Sequence, residues 1–311
     1  YVAAYMDQLG SLPAGDDDKF FQGFEFASGV SLGKNNEFTS AKQKYQLERD
    51  WVPVGFSSTG EVSAAPVVFA GYGIVAPADE GQEEYDSYVH LDVKDKWVVV
   101  FRFMPEEISP ERRQHLGRHS SLRFKSMVAR DKGAHGLIVV SGPNSNVKNQ
   151  LTDFRYDGSL AGSSLPVISV TDEVADGWLK AAGKSLKELQ DKLDQGDLAM
   201  GFEIDGVNLS AEIDIDQIER NGRNVLGRLQ AGKEPSEQVV IVGAHIDHLG
   251  SGPSGSSLAR DDEQQGVHWG ADDNASGVAA MLEVAQWLSS LQKAGKLPIQ
   301  RDIIFAAWSG E

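Results

Sequence analysis

An α/β fold, with a mixed and mostly parallel sheet flanked by helices, is what this sequence predicts. Two observations point there. Short continuous apolar runs recur between residues 66 and 308, and helical stretches separate them, the alternation that buries strands beneath helices. The chain also has 311 residues, more than one compact core usually needs, so two domains are expected. Its 41% hydrophobic and 24% charged residues are those of an ordinary globular protein.

Taken in order, residues Tyr1 to Leu12 read as the end of a helix. The first 60 residues otherwise mix apolar runs with polar turns, among them Asp16-Asp17-Asp18 and Gly33-Lys34-Asn35-Asn36, and read as a loop-rich lead-in. The texture changes near Ala65. Pro66 to Ala70 and Trp97 to Phe103 read as strands, Ser121 to Gly133 as a helix closed by its glycine, and Gly136 to Ser141 and Leu165 to Val170 as strands. A polar-faced helix is expected from Thr171 to Leu193. Gly71-Tyr72-Gly73 is too short for a nucleotide loop and reads as a tight turn.

A third texture begins near Asn224. Asn224 to Leu229 and Val239 to Ala244 read as strands, and the second is apolar on both faces, as expected at the centre of a sheet. A loop rich in Gly, Ser and Asp follows from Gly250 to Gly270. The helix from Ala275 to Lys293 keeps Val278, Met281, Leu282, Ala285, Leu288 and Leu291 on one face. Asp302 to Trp308 is a last buried strand.

Composition excludes several function classes. The net charge of −17, from 46 acidic and 29 basic residues, repels phosphate backbones, so no nucleic-acid partner is expected. The one basic cluster, Arg112, Arg113, Arg118, Arg123 and Lys125 with His115 and His119, has Glu106, Glu107 and Glu111 beside it and reads as a solvated loop and helix start. No stretch approaches the roughly 20 apolar residues of a membrane span. There are no cysteines, which removes disulfides, thiolate nucleophiles and thiolate-bound zinc. A metal here must be held by His and carboxylate.

Three segments carry chemistry. His245-Ile-Asp247-His248 follows a buried strand, and ligands gather at the carboxyl ends of strands in open α/β sheets. His245 can offer a ring nitrogen to a metal while the Asp247 carboxylate accepts the other ring N–H; two polar residues at a strand end would look the same. Gly270-Ala-Asp272-Asp273-Asn274-Ala-Ser-Gly277 opens the next helix. Capping needs one such residue, and adjacent carboxylates repel unless a cation sits beside them. Trp308-Ser-Gly-Glu311 ends the chain after the last strand, where a carboxylate can serve as general base; a surface Glu would look identical.

Together these three segments, in this order and setting, resemble the M28 family of zinc metallopeptidases over residues 222 to 311, and more weakly at residues 17 to 22 (DDKFFQ). The middle of the chain resembles a protease-associated (PA) domain, on Phe69-Ala-Gly-Tyr-Gly-Ile74, Asp95-Lys-Trp-Val-Val-Val100, Lys132-Gly-Ala-His-Gly-Leu-Ile138 and Leu165-Pro-Val-Ile168. The resemblance implies an incomplete zinc-exopeptidase-like domain from residues 1–60 and 206–311, with a smaller PA-like α/β domain inserted at 61–205. It implies His245 as a ligand of one zinc, Asp273 as the carboxylate bridging two, Asp247 as the partner that orients His245, and Glu311 as general base. Asp272 and Asn274 would shape the helix start. His248 takes no ligand role, and His268 and the four histidines of the PA-like segment are set aside.

The function so implied is zinc-dependent hydrolysis of peptide substrates, as an aminopeptidase, in a secreted or periplasmic protein. In that reaction Glu311 takes the proton of the attacking water and returns it to the leaving amine. The family's remaining ligands would follow Glu311, so this chain by itself is expected to bind zinc weakly and to be inactive, the complete protein being the hydrolase. Two alternatives share the scaffold: a non-catalytic binding or receptor-like protein, and a glutaminyl cyclase-like enzyme.

Overall fold

The computed structural model describes residues 1–157, 162–196, 200–232, 236–251 and 266–310. In chain order the elements are α1 (Val2–Gln8), β1 (Leu12–Pro13), β2 (Phe21–Leu32), β3 (Glu37–Ser40), β4 (Lys44–Tyr45), β5 (Trp51–Pro53), β6 (Gly60–Phe69) and the short pair β7 (Val75–Ala76) and β8 (Tyr85–Asp86). There follow β9 (Trp97–Phe101), α2 (Pro110–Gly117), α3 (Leu122–Asp131), β10 (Gly136–Val140), β11 (Val167–Val170), α4 (Asp172–Ala181) and α5 (Leu186–Asp194). The last are β12 (Phe202–Ile213), β13 (Ile215–Leu229), β14 (Val239–His245), β15 (Gly250–Ser251), β16 (Val267–His268), α6 (Gly277–Lys293) and β17 (Asp302–Trp308).

The chain divides into two compact units, one from Tyr1–Ala27 with Glu219–Glu311 and the other Ser28–Ile218. The inner unit takes in β3, β4 and β5, which join its sheet, and the resemblance to a PA domain was drawn for residues 61–205 within it. That sheet runs β4-β3-β12-β6-β9-β10-β11-β5. Parallel pairing is confined to its centre, β6–β9–β10–β11, and the flanking strands pair antiparallel.

Side chains alternate across a strand, and here they feed two cores. Trp97, Val99, Phe101, Ile138 and Val140 pack on one face with Trp178, Leu179 and Leu186 of α4 and α5. Val98, Val100, Leu137 and Val139 pack on the other with Ala129 of α3. Both faces being covered, β9 and β10 are apolar throughout, which is why they were legible.

Several expectations change. The lead-in is largely strand: β2 alone spans 12 residues, and its alternation of aromatic and small or polar residues hid it. The helix expected from Thr171 to Leu193 is two, because Gly183 takes a left-handed φ of +72° and closes α4 before Ser185 starts the next turn. The basic cluster is not uniformly solvated. Lys125 is fully buried, and its ammonium donates to the carbonyls of Phe101 at 2.7 Å, Arg102 at 3.1 Å and Phe103 at 2.6 Å, where β9 runs out. His115 is buried as well, its Nε2 lying 2.9 Å from the Pro77 carbonyl.

The outer unit has a mixed sheet, β1-β13-β17-β14, with β2 also pairing β13. β13 and β17 are antiparallel and β14 and β17 parallel. Its core gathers Val2 and Met6 of α1, Val278, Met281, Leu282 and Ala285 of α6, and Ala244, Phe305 and Ala307 of the strands. β14, expected at the centre of a sheet, is at the margin among the described residues, with Val239, Val240 and Ile241 exposed. Among the described residues no helix is long and apolar enough to cross a membrane.

Candidate functional site

The site is built where two parallel strands finish level. β14 and β17 pair from Val239 opposite Asp302 to His245 opposite Trp308, and the Ile246 N–H extends the pairing by donating to the Trp308 carbonyl at 2.7 Å. The turn of residues 271–276, which leads into α6, returns beside the end of β14. Gly270 makes that return possible. It holds a φ of +58°, and a Cβ there would lie 2.6 Å from the His248 Cβ.

This geometry brings His245 and Asp273 together: His245 Nε2 lies 3.0 Å from Asp273 Oδ1. The other ring nitrogen, Nδ1, donates to the backbone carbonyl of Asp247 at 2.9 Å. Nε2 at this separation from the carboxylate either donates a proton to it or shares a cation with it. The site is open to solvent on the carboxylate side, with the Asp273 side chain 66% exposed and His245 28%.

Asp247 orients His245 through a different atom from the one expected. The carbonyl, not the carboxylate, accepts the ring N–H. The carboxylate Oδ2 instead accepts from Ser309 Oγ at 3.2 Å and from the Gly310 N–H at 2.6 Å, so one residue ties the His245 strand end to the turn after β17. Glu311, the expected base, lies outside the described residues, as does most of the loop between Gly250 and Gly270.

The remaining motif residues have local duties. Asn274 Oδ1 accepts the Gly277 N–H at 3.1 Å and so caps α6, and the Asp272 carbonyl accepts from Ser276 Oγ at 2.8 Å. His248 and His268 stand edge to face with ring centroids 6.5 Å apart. Sequence reasoning passed over Asn224, whose Oδ1 accepts the Ser309 N–H at 3.0 Å and whose Nδ2 donates to Gln22 Oε1 at 3.1 Å. An amide directly ahead of an apolar strand was its only signal, and it read as a strand boundary.

An imidazole nitrogen and a carboxylate oxygen are donors that zinc takes. His245 and Asp273 fit as two of the three protein donors a catalytic zinc requires; among the described residues no group of three or more His, Cys, Asp or Glu is arranged to hold a metal.

Comparison with known proteins bears on the same stretch. The model of peptidase family M28 matches residues 224–311. Aminopeptidase NAALADL1 of Rattus norvegicus is 38% identical over 92 residues, which is 30% of this chain and 10% of the relative, and that of Mus musculus is 37% identical over the same length. The chain thus spans about a tenth of the length of the curated relatives it matches. Among solved structures, an aminopeptidase from Aneurinibacillus sp. strain AM-1 aligns with all of this chain and 56% of its own, at 17% identity and a TM-score of 0.40. BSAP, a zinc aminopeptidase from Bacillus subtilis, aligns with 99% of this chain and 54% of its own, at 17% identity and a TM-score of 0.36.

Proposed function

We propose that the outer unit belongs to a zinc-dependent peptidase, an aminopeptidase, acting on peptide substrates in a secreted or periplasmic setting. The observation that carries the reading is the 3.0 Å approach of His245 Nε2 to Asp273 Oδ1, made by side chains 28 positions apart at the carboxyl end of parallel strands. The match of residues 224–311 to peptidase family M28 supports it.

In this reading His245 and Asp273 would hold zinc, and Glu311 is the general base. Zinc, when bound, supplies Lewis acidity that polarises a scissile carbonyl and makes water a better nucleophile. Every other role falls to the chain. Asp247 fixes the His245 ring so that Nε2 faces outward. Asn274 caps α6 and thereby holds the turn carrying Asp273. Glu311 takes the proton of the attacking water and passes it to the leaving amine, a transfer requiring no covalent intermediate. The inner unit, read as PA-like over residues 61–205, contributes no reacting group.

The test is made on the intact protein: metal content by elemental analysis, with hydrolysis of aminoacyl anilides before and after chelation. Zinc in the preparation, with activity lost on chelation and restored by added zinc, is the expected outcome. A protein that turns over no aminoacyl or peptidyl substrate while holding zinc would remove the peptidase reading.

A further inference from the structure

We propose that Asn224 is a positioning residue, whose side chain sets the direction in which the chain leaves β17 toward Glu311. The inference rests on the reading of Glu311 as the base, and it deepens that reading by naming what aims the base.

β13 and β17 pair antiparallel from Leu229 opposite Ile303 to Val225 opposite Ala307, where the register ends. The Ser309 N–H is taken by Asn224 Oδ1 at 3.0 Å. On the other side of β17, the Trp308 carbonyl accepts the Ile246 N–H at 2.7 Å, and the Asp247 carboxylate accepts Ser309 Oγ at 3.2 Å and the Gly310 N–H at 2.6 Å. The Ser309–Gly310 segment is therefore gripped from both sides, by Asp247 just past the end of β14 and by Asn224 on β13.

Asn224 is itself fixed. Its Nδ2 donates to Gln22 Oε1 on β2 at 3.1 Å, so neither rotation of the amide nor withdrawal of the side chain is free of cost. A carboxylate acting as base must stand within about 3 Å of the proton it abstracts, and a misplacement of about 1 Å is enough to cost roughly 100-fold in rate. A backbone hydrogen bond two residues before the base is a natural place to set that position. Asp247 also serves His245, so its replacement would disturb two groups at once; Asn224 touches the Ser309 amide and Gln22, and can be changed more cleanly.

The experiment compares Asn224→Ala, Asn224→Asp and Val225→Ala in the intact protein. Asn224→Asp keeps an acceptor toward Ser309, and Val225→Ala removes core volume from the same strand without touching the turn. Two readouts are taken: hydrogen exchange of the Ser309 amide by NMR, and kcat against KM with zinc loaded. In Asn224→Ala the Ser309 amide is expected to exchange about 10-fold faster or more, with kcat down about 10-fold or more and KM within about 2-fold. Asn224→Asp is expected to recover kcat to within about 3-fold of wild type, and Val225→Ala to lower Tm while leaving kcat alone. Wild-type exchange at Ser309 in Asn224→Ala overturns the proposal, and so does a loss of kcat that Val225→Ala reproduces. A wild-type protein without peptidase activity sinks the reading of Glu311 as base; the exchange of Ser309 then still decides for or against the grip of Asn224 on the turn.

Discussion

Each unit contains a pair of parallel strands written as apolar runs, β9 with β10 in the inner unit and β14 with β17 in the outer, and the two pairs use their carboxyl ends in opposite ways. At the end of β10, the buried Asp172 carboxylate accepts Ser141 Oγ at 3.0 Å and the N–H groups of Gly142 at 2.8 Å and Asn149 at 2.7 Å. At the end of β9, Lys125 takes three successive carbonyls. Polar side chains there are consumed by the backbone around them. At the end of β14 and β17, the His245 ring nitrogen and the Asp273 carboxylate face each other across an open surface. A charged residue at a strand end is thus no guide by itself: around β9 and β10 the charged groups are spent on backbone partners, whereas at β14 and β17 an imidazole and a carboxylate also approach each other.

The largest effect is expected in the inner unit. Trp97 is fully buried, with Nε1 donating to the Leu209 carbonyl at 2.8 Å and Gly136 lying against its ring. Trp97→Ala is expected to cost about 4 kcal/mol, a central figure for emptying so large a core site. Denaturant unfolding measures it. A cost under about 1 kcal/mol would mean that the inner core is not the packed scaffold the contrast requires.

Asp273→Asn comes next and acts in the opposite unit. In the intact protein it is expected to lower kcat/KM by about 100-fold or more, about 2.7 kcal/mol of transition-state stabilisation, with a matching fall in bound zinc and little change in Tm. Loss of activity that follows unfolding instead of zinc content would place Asp273 among the structural carboxylates, alongside Asp172.

Lys125 sharpens the scaffold side. Lys125→Met removes the donor to three carbonyls and is expected to destabilise the inner unit by about 2 kcal/mol near neutral pH. Burial holds the Lys125 ammonium well below its usual range. The unfolded chain therefore keeps the proton over a window in which the folded chain has released it, a window closing near the unfolded value of about 10.4. Stability from this group is complete above that value and is lost as pH falls through the folded pKa. Wild type should accordingly gain stability over Lys125→Met as pH rises toward the unfolded value, read as urea midpoints at several pH values; a difference that shrinks over that range would reverse the assignment.

What the sequence made legible follows the same division. Trp97 to Phe101 and Gly136 to Val140 were readable because helices cover both faces and nearly every position must be apolar. β2 and the first half of β13, with Ile218, Glu219, Arg220 and Asn221 exposed, were not, because pairing and not burial makes them strands. His245 and Asp273 stood out through the family resemblance that their motifs carry more than through their residue types, and the structure brings the two side chains together. The use of the Asp247 carboxylate was not, since its partners Ser309 and Gly310 lie 62 and 63 positions away and register alone delivers them. Asn224 escaped for the same reason. Its importance lies in where the β13–β17 ladder stops, which no local pattern records.

The smallest effect is expected on the apolar side chains that the outer unit leaves in the open. Trp287 on α6 is 62% exposed, with Val284 partly exposed beside it, whereas Trp97 has no exposed surface at all. If exposure decides, Trp287→Gln should change the stability of the 311-residue chain by no more than about 0.5 kcal/mol, because most of the side chain is exposed and glutamine is at least as good a helix former. Calorimetry on the two tryptophan variants side by side makes the test internal: the same residue type, replaced in two units, should give effects differing by a factor of about eight or more. A loss above about 1 kcal/mol at Trp287 would mean that this face of α6 is covered in solution, and the contrast between a closed scaffold and an open outer unit would then have to be redrawn.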